Sequence, residues 1–184
     1  MVKRLQTLPF WGSHSEAEVY GLDFDSVYRQ ELPRVYNFFR FRVGDGPLAE
    51  DLTATTFEKA WRKRHHYRKD IATFSTWLFT IAKRVAVDHY RKQRLEVSFD
   101  ILSNTPAEGN LEDEVIRKVE FAHLSVLLSQ LADRDRELVA LRYGAGLTNR
   151  AIAGLTGISE SNVGVLLHRL TEKLRKQWEM SNEG

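Results

Sequence analysis

From Glu58 to Arg94 the chain carries eleven Lys and Arg against three acids, a net of +8. Within that block, Trp77, Leu78, Ile81, Ala82 and Val85 recur at helical spacing as one apolar face. Lys83, Arg84, Tyr90, Arg91 and Arg94 then fall mostly on the other side. A basic surface interleaved with aromatic rings can follow phosphates while bases stack on it. On charge alone, a solvated face with no partner is the competing reading. A second constellation lies near the C-terminus, where Ser159, Glu160, Ser161 and Asn162 precede a long amphipathic stretch. Glu accepts from cytosine, Asn pairs with adenine, and Ser tolerates several base edges. Gly164 lets a backbone approach closely, and Arg150, His168 and Arg169 suit phosphates. Ser159 also has a plain structural use as a helix cap.

Catalytic chemistry is not expected. His65-His66 with Asp70, and Asp88-His89, have no second acidic cluster at ligand spacing, so no metal and no cofactor are inferred. No nucleophile stands beside a positioned base.

The elements that must hold these residues are helical throughout. Phe24, Val27, Tyr28, Leu32, Val35, Tyr36 and Phe39 keep a helical period that tolerates Pro33 as a kink or early-turn residue. VGDGP is a turn signal. After it Leu48, Leu52, Thr56, Ala60 and Trp61 define a second helix with Glu50 and Asp51 in its first turn, and a third runs from about Phe74 to Arg94. Residues 97–110 have linker composition, helix resumes near Leu111, and Asp133 is placed to cap a helix over Arg134–Tyr143. A short helix with Ala151, Ile152 and Leu155 then stops at Gly157, and Ile158 crosses the turn. The next helix carries Val163, Leu166, Leu167, Leu170, Leu174 and Trp178 on one stripe. That is a helix-turn-helix, the unit that sets its second helix in a major groove. No strand pattern is present. The expected fold is all-α: two small helical domains joined by an acidic linker.

Composition narrows the setting. The apolar fraction of 42% supports packed cores, and the longest uncharged apolar run, near Ile71–Ala82, is too short to span a membrane. The N-terminus lacks a secretory h-region. With no cysteines there are no disulfides or thiolate metal sites. A cytoplasmic chain without membrane insertion is expected. The total charge of +2 says little, because residues 95–120 hold seven acids against two bases, a net of −5. A basic block followed by an acidic one points to a polyanionic partner for the first.

The order of motifs carries a resemblance. DLTATTFEKAW at 51–61, FSTWLFTIAKR at 74–84 and DHYRK at 88–92 resemble region two of bacterial RNA polymerase sigma factors, and the tail from Leu128 to Leu174 resembles their region four. With no further domains, the match is to the extracytoplasmic-function (ECF, group IV) class. It implies a leader at 1–21, region two at 22–95, a linker at 96–120 and region four at 121–180. It also implies a promoter-specificity subunit, not an enzyme, with core RNA polymerase, promoter DNA as duplex and single strand, and an anti-sigma factor as partners. Asp51, Leu52, Thr55, Phe57, Glu58 and Trp61 would dock on the polymerase, although Leu52, Phe57 and Trp61 also suit a core. Trp77, Lys83, Arg84, His89, Tyr90, Arg91 and Arg94 would melt and read the minus-10 element. Arg150, Ser159, Glu160, Ser161, Asn162, Gly164, His168 and Arg169 would meet the minus-35 duplex. The linker acids either keep the tether extended by self-repulsion or occupy a channel built for RNA.

The sequence departs from the family pattern at Arg84, where Asn is frequent, and at Ala151, where Glu is frequent. Asn162 replaces a common Thr and Leu166 a common basic residue, so the minus-35 grip is expected to be the weaker of the two. A stand-alone helix-turn-helix regulator binding as a dimer is the alternative reading.

Overall fold

The computed structural model describes residues 18–19, 22–96 and 112–182. Two two-residue strands, β1 (Glu18–Val19) and β2 (Leu22–Asp23), pair antiparallel, Glu18 opposite Asp23 and Val19 opposite Leu22. This pairing departs from the expected absence of strands, because two residues are too few to leave an alternating pattern. The described chain is otherwise helical.

α1 (Phe24–Val43) buries Leu32, Val35, Phe38 and Phe39, while Pro33 faces solvent within it. Gly44, at φ 75°, reverses the chain. Asp45 then caps α2 (Gly46–Arg62), its carboxylate accepting from the Leu48 amide at 2.7 Å. That cap and the fixed φ of Pro47 start α2 at Gly46. Glu50 and Asp51 therefore lie beyond the first turn in which the sequence placed them. The inward hydroxyls of α2 are satisfied locally: Thr53 donates to the Ala49 carbonyl at 2.6 Å and Thr56 to that of Leu52 at 2.8 Å. α3 (Phe74–Glu96) contributes Leu78, Phe79, Ile81, Ala82, Val85 and Ala86 to the same core.

The second half comprises α4 (Glu112–Ser129), α5 (Asp133–Val139), a π turn at Ala140–Gly144, α6 (Asn149–Thr156) and α7 (Glu160–Asn182). α4 passes through position 120, where the sequence set the end of the linker. Asp133 does not cap α5: Ala132 holds that position without a side-chain bond, and the Asp133 carboxylate pairs with Arg42 at 3.0 Å instead. The single helix expected over Arg134–Tyr143 widens into the π turn, which ends on Gly144.

The two halves share one hydrophobic interior. Arg42 on α1, 3% exposed, also donates to the Asp133 carbonyl at 2.9 Å. Arg34 donates to the Ala145 carbonyl at 2.8 Å while its other arm meets Glu31 and Ser75. The leader residues Phe10 and Trp11, the linker acids Asp100 and Glu108, and the Arg94 side chain lie outside the described residues.

Candidate nucleic-acid interface

α2 turns one edge to solvent. Asp51, Thr55 and Glu58, spaced i, i+4, i+7, lie along it; Asp51 and Glu58 are exposed, and Glu58 is ion-paired with Arg62. Thr55 donates to the Asp51 carbonyl at 2.9 Å. Leu52 and Phe57 point inward, Phe57 meeting the Tyr28 ring edge-on at 4.6 Å. Trp61 is half-buried under the Arg64 guanidinium, 4.0 Å from its ring. A protein partner on this edge meets carboxylates first.

α3 and the connector before it form a basic, aromatic surface. Trp77 is half-buried in a ring cluster with Phe74 at 5.4 Å and Tyr67 at 5.5 Å. Burial pushes the Tyr67 phenol above its ordinary pKa, so it stays neutral in this cluster. The hydrogen-bonded Arg68 guanidinium holds Asp70 below the usual carboxylate range. Arg84 and Arg91 are exposed, and Arg91 lies 3.9 Å from Asp88. His89 is half-buried with its ring 5.6 Å from Tyr90. Tyr90 donates to the Arg42 carbonyl at 2.6 Å, and the Arg42 guanidinium lies over its ring. Its hydroxyl is thereby committed inside the protein.

The structure places Lys83 differently from its neighbours. Its ammonium reaches the Leu155 carbonyl near the C-terminal end of α6 and lies 3.5 Å from Glu137. A helix C-terminus carries partial negative charge, so the cation is well placed there. A groove lined by Thr80, Lys83, Arg84, Val87, Asp88 and Leu155 marks this junction.

At the other end, the Thr148 hydroxyl caps α6 by accepting from the Ala151 amide at 3.2 Å. Gly157, at φ 73°, ends α6 in the left-handed region, and buried Ile158 anchors the turn. The Ser159 hydroxyl accepts from the Asn162 amide at 3.3 Å, the capping use that the sequence left open. Glu160, Ser161 and Asn162 project into solvent, as do Arg150, His168 and Arg169. Val163, Leu167 and Leu170 face inward, and Leu166 is half-buried against the core. Ser161, Asn162, His168 and Arg169 thus share an outward surface with Glu160, while the inward stripe fixes the helix beneath them.

Comparison with known proteins matches this arrangement in both halves. Residues 27–96 match the family described as Sigma-70 region 2, and residues 123–174 match Sigma-70, region 4. The chain is 34% identical to the RNA polymerase sigma factor CarQ of Myxococcus xanthus, covering 83% of this chain and 87% of that one. It is 30% identical to the ECF RNA polymerase sigma factor SigM of Bacillus subtilis, covering 84% and 94%. The chain belongs to the ECF class of RNA polymerase sigma factors. It is also 31% identical to the ECF sigma factor BldN of Streptomyces coelicolor, of whose length it spans 61%. Two solved structures share the fold. One is the sigma factor RpoE in complex with the anti-sigma factor NepR from Bartonella quintana (TM-score 0.65, 22% identity, 85% of this chain and 97% of that one). The other is CnrH in complex with the cytosolic domain of CnrY (TM-score 0.60, 20% identity, 85% and 86%).

In this sigma factor, sequence reasoning passed over Val165, which is 47% exposed between Ser161 and Arg169. The spacing that found the buried stripe of α7 also places Val165 opposite it, so the signal was present. It also passed over the Lys83 contacts, which join residues 72 and 54 positions apart and leave no local pattern.

Proposed function

We propose that this sigma factor holds a promoter at two points while docked on core RNA polymerase, and that it performs no covalent step itself. The α2 edge of Asp51, Thr55 and Glu58 docks on the polymerase, with Leu52, Phe57 and Trp61 shaping the helix from beneath. The α3 surface engages the minus-10 strand as it unstacks. Arg84, Arg91 and Arg94 supply phosphate contacts, Trp77 and His89 border the surface, Tyr90 braces it, and Lys83 joins once α6 moves away. At the N-terminal end of α7, Glu160, Ser161 and Asn162 read the minus-35 duplex, with Arg150, His168 and Arg169 on its phosphates. Ser159 and Gly164 shape that end of the helix.

One observation carries the reading: an exposed basic helix and a helix-turn-helix stand on one chain in the order of regions two and four. A dimeric repressor has no use for the first. Because Leu166 turns partly into the core where the family often has a basic residue, the upstream grip is the weaker, and tethering through the polymerase compensates by raising effective concentration. An anti-sigma factor that covers both surfaces at once fits the same layout, and one structural neighbour, RpoE from Bartonella quintana, is in complex with the anti-sigma factor NepR. The reading implies a cytoplasmic site of action.

The deciding experiment is transcription in vitro with purified core polymerase, this chain and supercoiled genomic fragments. The expected result is a promoter-specific transcript and co-elution of the chain with core. Absence of both overturns the proposal.

A further inference from the structure

We infer that Val165 is a specificity residue that reads the C5-methyl group of a thymine in the upstream duplex; this rests on the proposal that α7 enters the major groove. The inward side of α7 is fixed by Val163 at 0% exposure, Leu167 at 5% and Leu170 at 7%. At 100° per residue, Val165 projects almost opposite that stripe. It is 47% exposed, with Ser161 one turn before it and Arg169 one turn after. An apolar β-branched side chain at the centre of an otherwise polar and basic face gains nothing from packing within this chain.

The neighbours say what it meets. Ser161 and Asn162 can hydrogen-bond base edges and Arg169 can hold a phosphate, so a surface fitting all of them is a nucleic-acid groove. The apolar feature that a major groove offers at its base edges is the thymine methyl. Gly164, beside Val165, leaves the helix surface low. A Cβ built there meets only the flexible Asn149 amide nitrogen, at 3.4 Å, so packing does not demand the glycine. A bare backbone at 164 beside a short, stiff valine allows close approach to the base-pair edges.

The test uses holoenzyme assembled from core polymerase and the full chain. A duplex library randomised over the upstream element is first selected for binding. Each thymine of the selected element is then replaced, one at a time, by deoxyuridine, which pairs identically but lacks the methyl. The expected result is one position at which the replacement weakens wild-type binding about fourfold, the effect of burying one methyl-sized group. Holoenzyme carrying Val165→Ala binds the parent duplex more weakly and is indifferent to deoxyuridine at that position. Val165→Thr, which keeps one methyl, is intermediate. Because Val165 is exposed, both variants fold, and an unchanged thermal midpoint verifies this.

Deoxyuridine costing nothing at any position, or costing Val165→Ala as much as wild type, overturns the inference while leaving the two-point grip intact. Val165 would then serve a protein contact. Selection that enriches no upstream element overturns the groove reading itself, and this inference with it.

Discussion

Gly144 lies directly against the main chain of Asn37. A Cβ built on Gly144 would stand 2.7 Å from the Asn37 carbonyl oxygen and 3.1 Å from the Phe38 Cα. The end of the π turn can approach α1 this closely only because position 144 has no side chain. Close to this contact Arg34 and Arg42 add polar bonds between the two halves, as Lys83 does farther along, so one glycine sets the depth at which region four seats on region two.

Replacing Gly144 with Ala is therefore expected to destabilise the chain. Overpacking against rigid backbone costs about 1–3 kcal/mol, more than the roughly 1 kcal/mol that alanine contributes by helix propensity. Thermal unfolding should show a lower midpoint, at roughly 2–4 °C per kcal/mol for a chain of this size. An unchanged or raised midpoint would mean that the two halves do not seat here in solution.

The Lys83 ammonium is held by region four, whereas the proposed function assigns it to DNA. Glu137→Gln removes the charge 3.5 Å away, on a pair whose side chains are 19% and 22% exposed. The change is expected to cost about 1–3 kcal/mol of stability, because the largely buried ammonium keeps the Leu155 carbonyl but loses its counter-charge. It should also steepen the salt dependence of non-specific DNA binding by the free chain by up to about one unit. Fluorescence anisotropy across a salt series measures this, with Glu179→Gln, exposed on α7, as the control for net charge. Equal slopes in the two variants would show that Lys83 was already available.

The proposed function makes the outer face of α3 separable from the α2 edge that it assigns to the polymerase. Arg91→Ala combined with Arg94→Ala should reduce open-complex formation about tenfold or more, since each lost phosphate contact is an electrostatic loss. Affinity for core polymerase should change less than twofold. Permanganate footprinting and a core-binding titration read the two quantities separately. Equal loss of both would place Arg91 on the polymerase side.

The Arg68–Asp70 pair predicts a pH effect with a definite sign. Its carboxyl titrates below the ordinary value in the folded chain because the guanidinium favours the ionised form. The pair's contribution is then present above the unfolded carboxylate value and is lost as pH falls through the lowered folded one. Carbon-detected NMR titration of Asp70 should give a midpoint below that of a free aspartate, returning toward it in Arg68→Ala. No return would assign the shift to another cause.

Much of this molecule is legible in its local patterns. The helical periods of α1, α2, α3, α6 and α7 name their buried faces, because each amphipathic helix must turn its apolar side to the core whatever it packs against. Gly157 ends α6 where its position suggests, since left-handed backbone favours glycine. The order of the DLT…AW stretch, the basic helix and the helix-turn-helix suffices to place the chain in its family. The cap of α2 was less legible: Asp45 and Pro47 lie within a stretch that reads first as a turn.

What the sequence could not decide was how the halves meet. Asp133 has the right type for a cap, yet it pairs with Arg42, 91 residues earlier. Tyr90 has the right type for an exposed aromatic platform, yet it is half-buried, with its hydroxyl on the Arg42 carbonyl and the Arg42 guanidinium over its ring. Lys83 has the right type for a phosphate, yet it rests on the end of α6. Each residue type fits its local role equally well, and the choice falls to whichever partner the packed chain brings within hydrogen-bonding distance. Residue type and period thus determined the helices, their inward faces and the family; tertiary packing alone decided which charged side chains are held by partners elsewhere in the chain.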